Sequence, residues 1–242
     1  MSGVLLEVTG LAKRFGGFVA LDGIDLAVAA GERVGLIGPN GSGKSTLVNC
    51  LSGTLRNEAG QVRFDGHTLN GLAAHRRTRL GLARSFQLPR PFLSLTVEEN
   101  LRIPIEYVVH TRGRSRIDVE ARCAELLEMV GLADRADEQP AGLTQVEMRK
   151  LELARAMAAE PKLLIADEAM AGLSHQEVDD ILTLLLQLND RGVTIVMIEH
   201  IMRAVMQFSQ RLVVLVAGRK IADGPPDDVI RDPEVERAYL GQ

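Results

Sequence analysis

The chain has 242 residues, enough for one large domain or for one core with an inserted subdomain. A formal charge of −4 gives no general attraction to nucleic acid or anionic lipid, and we expect no nucleic-acid partner. Cys50 and Cys123 are far apart, which argues against a disulfide framework or a zinc site and fits a reducing cytosol. The start lacks a signal-peptide pattern, and no apolar run approaches ~18 residues, so we expect an intracellular protein without direct membrane insertion.

The first third of the chain is predicted to be rich in β-strands. Strand-like runs broken by glycines cover residues 5–8, 18–28 and 61–64. The apolar run at residues 34–37 predicts a buried strand, and residues 45–55 predict the helix that follows it.

From about residue 88 the pattern becomes helical. Thr96 and Glu99 form a capping box, and a second helix is expected over residues 117–130, ending at Gly131. Between them lies the basic stretch TRGRSR (residues 111–116), which we interpret as a solvated loop rather than a surface for an acidic partner.

Short apolar runs then return at residues 163–166 and 193–198, as expected for strands of a parallel sheet covered on both faces. A helix that begins at Ser174 and Glu177 separates them, and residues 211–224 predict a hairpin. The predicted fold is α/β: a P-loop NTPase core with a mostly parallel sheet, an antiparallel β subdomain near the N-terminus, and an inserted helical subdomain at residues 88–142 of a single domain.

The strongest motif is GPNGSGKST, residues 38–46, which matches G-x-x-x-x-G-K-[ST]. It lies between a predicted strand and a helix N-terminus, where backbone N–H groups and the helix dipole favour phosphate. Lys44 can place its charge at the β- and γ-phosphates, and Ser45 can ligate Mg²⁺. The alternative is a glycine-rich turn with an incidental lysine, but the context favours nucleoside triphosphate binding. The candidate nucleotide-binding residues are Gly38, Pro39, Asn40, Gly41, Ser42, Gly43, Lys44, Ser45 and Thr46.

A second motif, LLIADE, ends at residue 168 and delivers two carboxylates to the carboxyl edge of the sheet, where the phosphate loop also opens. Asp167 is placed to hold Mg²⁺, through a water molecule, and Glu168 to orient and deprotonate an attacking water. An acidic pair after a strand can also simply cap the next element. The phosphate loop favours the catalytic interpretation.

Three single residues are further candidates, although each alone is more often structural. Gln87 lies where the core passes into the helical insertion, so it can report the γ-phosphate and ligate Mg²⁺. His200 follows a predicted strand and can hydrogen-bond the γ-phosphate. Phe15, in a glycine-flanked segment, can stack on adenine with ~1–3 kcal/mol.

Taken together, these features resemble the ATP-binding subunits of ABC transporters over essentially the whole chain. In that family a loop aromatic, a phosphate loop, a glutamine, a signature motif, an acidic pair and a switch histidine follow in this order. The matching positions here are Phe15, residues 38–46, Gln87, residues 143–147, Asp167, Glu168 and His200. The strings FGGFVALDGIDL, GLARSFQLPRPF, IEHIM and DPEVERAYLG are similar to the branched-chain amino acid importer group.

The signature motif departs from the family pattern. It usually is close to L-S-G-G-Q, and here it is LTQVE, residues 143–147. Thr144 keeps the hydroxyl and can form a capping box with Glu147, so we expect the helix start to survive. Val146, however, replaces a glycine that permits close backbone approach, and Glu147 adds negative charge near phosphate. Two further positions differ from the family pattern, Ala169 in place of proline and Ser174 in place of aspartate.

The resemblance implies an ATPase that works as a homo- or heterodimer around two ATP molecules, with Mg²⁺ as cofactor and Thr144 at the partner's nucleotide. It implies multi-span membrane permease subunits as partners and a cytoplasmic location, peripheral on the inner face of the cell membrane. The helical insertion is the expected docking surface. Alternative interpretations are a soluble ABC ATPase acting in DNA repair or on ribosomes, and the ATPase of another importer or of a lipid exporter.

Overall fold

The structure is a computed structural model, and it describes residues 3–86, 89–109 and 118–240. The described residues form two β-sheets and a layer of helices, and together these elements make the α/β core that the sequence predicts. Gln87 and the basic stretch 111–116 lie outside the described residues, so what we predicted for them stays a prediction.

The larger sheet is mostly parallel, as predicted, because its apolar strands are covered on both faces. In spatial order its strands are β10, β9, β3, β8, β7 and β6, and β10 alone pairs antiparallel. These strands span Arg219–Gly224, Arg211–Val216, Arg33–Ile37, Thr194–Ile198, Leu163–Asp167 and Leu82–Ser85. The β9–β10 hairpin turns at Ala217 and Gly218, both with positive φ (47° and 78°), which suits a tight two-residue turn.

The smaller sheet is antiparallel, with the order β2, β1, β4, β5. Its strands span Phe18–Ala29, Val4–Phe15, Ala59–Phe64 and His67–Thr68. The first strand is longer than predicted. The chain passes Gly10, whose φ of 60° accompanies a shift in register, and stays in the sheet as far as Phe15.

Helices connect the strands and form the second layer. Their bounds are α1 Lys44–Ser52, α2 Ala74–Leu80, α3 Val97–Pro104, α4 Val119–Val130, α5 Gln145–Ala158, α6 His175–Asp190, α7 Met202–Phe208, α8 Pro226–Val229 and α9 Pro233–Leu240. A π-helical turn, Ile105–Val109, continues α3, and single 3₁₀ turns occur at Ala133–Arg135 and Pro140–Gly142. In the described part of the chain, no helix combines the length and apolar character needed to cross a membrane.

The predicted helix starts are confirmed. Each of the three capping boxes has both of its reciprocal hydrogen bonds, and together they begin α3, α5 and α6. Helix α4 ends at Gly131, which has the left-handed φ of 70° expected at that position.

The larger sheet separates the two largest apolar cores of the described residues. Alternate side chains of β7 point in opposite directions, so Leu163 and Ile165 pack with α1 and the antiparallel sheet, whereas Leu164 and Ala166 face helices α3 to α7. Helices from the predicted insertion therefore share one core with α5 and α6. The boundary of the insertion at residues 88–142 stays a prediction.

Candidate active site

The phosphate loop connects β3 to α1 in a backbone shape that only glycine allows at two points. A Cβ on Gly38 would lie 2.1 Å from the Leu215 carbonyl oxygen, and a Cβ on Gly43 would lie 2.6 Å from that of Ala20. Gly43 is also the N-cap residue of α1, with φ 105°. The loop is therefore packed against neighbouring backbone and opens at the N-terminus of a helix.

Lys44 is folded back over this loop. Its Nζ donates to the carbonyl oxygens of Gly38 at 2.7 Å and Pro39 at 3.0 Å. Burial lowers the pKa of Lys44, while the carboxylates of Glu168 and Asp167 act in the opposite direction. Its ammonium thus has acceptors on the loop that bound phosphate oxygens can replace.

A cleft of about 220 Å³ opens beside the loop. Its lining includes the loop and the side chain that we predicted as catalytic base, across from a strand of the smaller sheet. The lining residues are Phe18, Ala20, Asn40, Gly41, Ser42, Gly43, Lys44, Ser45, Thr46 and Glu168. The structure thus brings the phosphate loop and Glu168 into one cleft.

Asp167 is buried and paired with an arginine that the sequence analysis missed. The Arg84 guanidinium, in the edge strand β6, donates to Asp167 Oδ2 at 2.6 Å and to Asn49 Oδ1 at 2.7 Å. The side chains of Arg84 and Asp167 are 12% and 8% exposed. Arg84 engages Oδ2, and among the residues that the structure describes no hydrogen bond reaches Asp167 Oδ1. With the exposed hydroxyl of Ser45, it supplies the hard oxygen donors that suit Mg²⁺ and its water shell.

Glu168 stands in an unusual backbone conformation. Its φ is 48°, in the left-handed region that residues other than glycine seldom adopt. Its N–H donates to the Ile198 carbonyl oxygen at 2.9 Å, across to the end of β8. The surrounding strands hold this conformation, as is common at functional sites.

His200 follows the end of β8, and its side chain is 69% exposed. Its Nδ1 lies 3.8 Å from Oε2 of the preceding residue, Glu199, whose side chain is only 1% exposed. The second carboxylate oxygen, Oε1, accepts from the Met170 N–H at 2.8 Å. Glu199 was not among the predicted site residues, although a charged residue directly after a run of apolar strand residues can indicate a functional position.

Phe15 and Phe18 face each other across the tight turn between β1 and β2. Directly opposed residues of two antiparallel strands lie on the same face of the sheet, so both rings lie near the cleft, although only Phe18 is among its lining residues. The Lys13 ammonium lies 5.2 Å from the centre of the Phe15 ring. Adenine stacking on Phe15 stays a prediction, and Phe18 is a second aromatic that the sequence analysis overlooked.

The altered signature begins α5 as predicted. Glu147 Oε2 accepts from the Thr144 N–H at 2.8 Å and from its hydroxyl at 2.9 Å. These hydrogen bonds, the backbone one above all, lower the pKa of Glu147. Val146 is half-buried against the helical core. Gln145 Nε2 lies 3.4 Å from the Ala171 carbonyl oxygen, so the signature also contacts the loop that follows Glu168.

Comparison with known proteins agrees with this geometry. A family model described as ABC transporter matches residues 21–171, and a second, described as branched-chain amino acid ATP-binding cassette transporter, matches residues 219–242. The chain belongs to the ABC transporter family. Its similarity to the high-affinity branched-chain amino acid transport ATP-binding protein BraF of Pseudomonas aeruginosa is 38% identity over 254 aligned residues, covering 100% of both chains.

Solved structures give the same assignment for this ABC ATPase. The ADP conformation of MJ1267, an ATP-binding cassette of an ABC transporter, superposes with a TM-score of 0.87 at 31% identity and covers 100% of both chains. A dimeric post-hydrolysis state of the cassette MJ0796, bound to ADP and Pi, has a TM-score of 0.82 at 26% identity and covers 92% of this chain and 99% of its own. The predicted family, fold class and ATPase activity are confirmed.

Proposed function

We propose that this chain is the ATP-binding and ATP-hydrolysing subunit of an importer for branched-chain or other amino acids. It pairs with a second ATPase subunit and docks on multi-span permease subunits at the inner face of the cell membrane. The observation that carries the solute class is the agreement of the C-terminal segment, residues 219–242, with the branched-chain model, together with similarity to BraF over the full chain.

Catalysis in this proposal is positioning and charge stabilisation. Phosphate oxygens take the place of the Gly38 and Pro39 carbonyls at Lys44, and N–H groups of the loop donate to them. Glu168, in the same cleft, orients the attacking water and accepts its proton, while His200 donates to the γ-phosphate. Ser45 and Asp167 would hold Mg²⁺ in this site, and the ion would supply positive charge that stabilises the transferred phosphate.

The motion that links ATP to the permease begins, in this proposal, at Gln87 and passes to the helices of the insertion. Phe92, Leu93 and Tyr107 are large apolar side chains on this part of the chain that remain exposed, by 45%, 61% and 67%. Apolar side chains in such a position suit a protein partner.

The test is solute uptake by the source organism with the gene deleted and returned on a plasmid. We expect the wild-type chain to restore uptake of radiolabelled leucine, isoleucine and valine, and Lys44→Ala not to restore it. Restored uptake of methionine or a cationic amino acid alone would assign another importer. Unimpaired amino acid uptake in the deletion strain, with Mg·ATP hydrolysis retained by the purified chain, would favour a soluble role or lipid export.

A further inference from the structure

Glu199 is a buried carboxylate that takes no part in the mechanism proposed above. Its Oε1 accepts from the Met170 N–H at 2.8 Å, two residues after Glu168. Its Oε2 accepts from the His200 backbone N–H at 3.3 Å and lies 3.8 Å from His200 Nδ1. Among the residues that the structure describes, His200 Nδ1 is the one basic side-chain nitrogen within 4.0 Å of this carboxylate.

A buried charge on the Glu199 carboxylate lowers the stability of the folded state. Burial raises the pKa of Glu199, while the Met170 N–H and His200 act in the opposite direction. Glu168 adds to the rise, and the buried Arg149 guanidinium of α5 senses the Glu199 charge. An amide of the same shape would satisfy the Met170 N–H without the cost of burying a charge, so that N–H does not by itself account for a carboxylate. The His200 N–H, which donates to Oε2 at 3.3 Å, requires an acceptor on the second side as well.

The geometry at His200 does account for it. The distance of 3.8 Å between Nδ1 and Oε2 exceeds a hydrogen bond by ~1 Å, and rotation of the exposed imidazole can close it. An imidazole that donates from Nδ1 to a carboxylate is fixed in orientation. It then presents Nε2 to whatever lies on its other side, and an imidazolium can donate from both nitrogens.

We infer that Glu199 is a positioning residue for ATP hydrolysis: its Oε2 accepts a hydrogen bond from the Nδ1–H of His200 and so directs Nε2 at the γ-phosphate. The inference rests on the proposed role of His200. Through Met170 the same carboxylate also holds the loop that carries Glu168. One buried side chain thus sets the relative position of the base and of the phosphate donor.

A double-mutant cycle tests the inference on the purified chain with Mg·ATP. Glu199→Gln keeps an oxygen for the Met170 N–H, because this hydrogen bond, at 2.8 Å, is the shorter of the two that the carboxylate accepts from backbone N–H groups, and the His200 N–H lies at 3.3 Å. It replaces the acceptor at Nδ1 by an NH₂ group. We expect kcat to fall about tenfold with KM unchanged, as for one lost hydrogen bond in the transition state. In a His200→Ala background the same substitution should change kcat by less than about twofold.

A spectroscopic readout separates positioning from a merely structural role. Long-range ¹H–¹⁵N spectra of labelled histidine distinguish the two tautomers of a neutral imidazole. In the nucleotide-free protein we expect neutral His200 to be in the Nδ1–H form in the wild type and to shift towards Nε2–H in Glu199→Gln. Donation from Nε2 to the γ-phosphate then uses the imidazolium, which carries a proton on both nitrogens. Glu199→Asp, which keeps the charge but withdraws it by one methylene, should lower kcat in the same direction and covers the case in which the glutamine variant fails to fold.

Two results for the Glu199 variants overturn the inference: unchanged kcat in both of them, or an equal loss from Glu199→Gln with and without His200. The proposed function fails in another way, through absence of ATP hydrolysis by the wild-type chain. A wild-type rate in His200→Ala removes the role of His200, and the inference about Glu199 with it.

Discussion

Arg84 and Asp167 form a buried ion pair, with 2.6 Å between the guanidinium nitrogen and the carboxylate oxygen, although 83 residues separate them in sequence. Through Asn49 the same guanidinium also reaches α1. The carboxylate that we assign to Mg²⁺ is therefore fixed from the edge strand β6, just before the segment that leads to Gln87.

The first prediction concerns this pair. Arg84→Met should lower the free energy of unfolding by ~3–5 kcal/mol, because it leaves the Asp167 carboxylate buried without its partner. Adding Asp167→Asn should recover much of that loss. Urea denaturation measures both. Arg219→Met is the matched control. The Arg219 guanidinium lies 2.7 Å from the Asp22 carboxylate, but the two side chains are 72% and 43% exposed. Because this ion pair is in solvent, the substitution should change the free energy of unfolding by less than ~1 kcal/mol. Similar losses from the two substitutions would contradict the special position of Arg84.

The two acidic residues should fail differently. Glu168→Gln should keep ATP binding, trap a closed dimer and lower kcat by ~10²-fold or more, since it removes the general base. Asp167→Asn should instead weaken Mg²⁺-dependent binding of ATP. Equilibrium binding with and without Mg²⁺, gel filtration and steady-state hydrolysis separate the two results. The exposed Glu234 provides a control through Glu234→Gln. Normal turnover in Glu168→Gln would refute its assignment as base.

Base recognition is tested by the two aromatics at the β1–β2 turn. Phe15→Ala should raise Kd for ATP and GTP alike, by roughly fivefold to a hundredfold, because stacking uses a face that both purines have. Fluorescence titration of both nucleotides measures it, with the exposed Phe92→Ala as control. Unchanged affinity in Phe15→Ala together with a loss in Phe18→Ala would move the adenine platform to Phe18.

The altered signature predicts slow ATP turnover by the isolated chain and faster turnover with a partner subunit that has the usual signature. If crowding and repulsion are limiting, Val146→Gly with Glu147→Gln should raise the rate of the homodimer. Glu147→Gln alone isolates the charge, because the amide oxygen can still accept from the Thr144 N–H. Thermal melting must accompany these assays, since Val146 packs on the core. A rate that stays the same or falls would make the departure a neutral variation.

Stability should depend on pH through Glu199. A carboxyl whose pKa is raised by folding contributes most at pH values below its ordinary value of 4.5, and that contribution is lost as the pH rises through the raised pKa. An amide at this position cannot ionise, so Glu199→Gln should raise Tm by ~2–4 °C at pH 7 for each ~1 kcal/mol gained. The gain should vanish as the pH falls to about 4.5. Equal gains at both pH values would point to packing rather than charge.

Local patterns predicted much of this structure from sequence. The strands β3, β7 and β8 are apolar runs bounded by turn residues, and the capping boxes of α3, α5 and α6 need only residues three positions apart. The phosphate loop and Asp167 with Glu168 follow from motifs whose spacing the chemistry imposes.

Contacts between distant segments were not predictable in this way. In the sequence, Arg84 is a single arginine within a short strand, and no local pattern indicates that Asp167, 83 residues away, is its partner. Phe18 seemed part of an ordinary strand, and only the pairing of β1 with β2 brings it opposite Phe15. Glu199 reaches Met170 across 29 residues, a contact set by the parallel pairing of β7 and β8.

The carboxyl end of β8 positions several of the residues to which we assign roles in ATP hydrolysis. The Ile198 carbonyl fixes the backbone of Glu168, and the next two residues are Glu199 and His200. Side chains alternate along a strand, so deleting one residue within β8 would exchange the two cores that Met197 and Ile198 face. The same deletion would displace Glu168 and Glu199 together, because both are positioned by the end of this strand. We expect insertions and deletions to be tolerated before the start of β8, in the turn at Gly192. At the carboxyl end of β8 we expect them to abolish ATP hydrolysis, even in a chain that still folds.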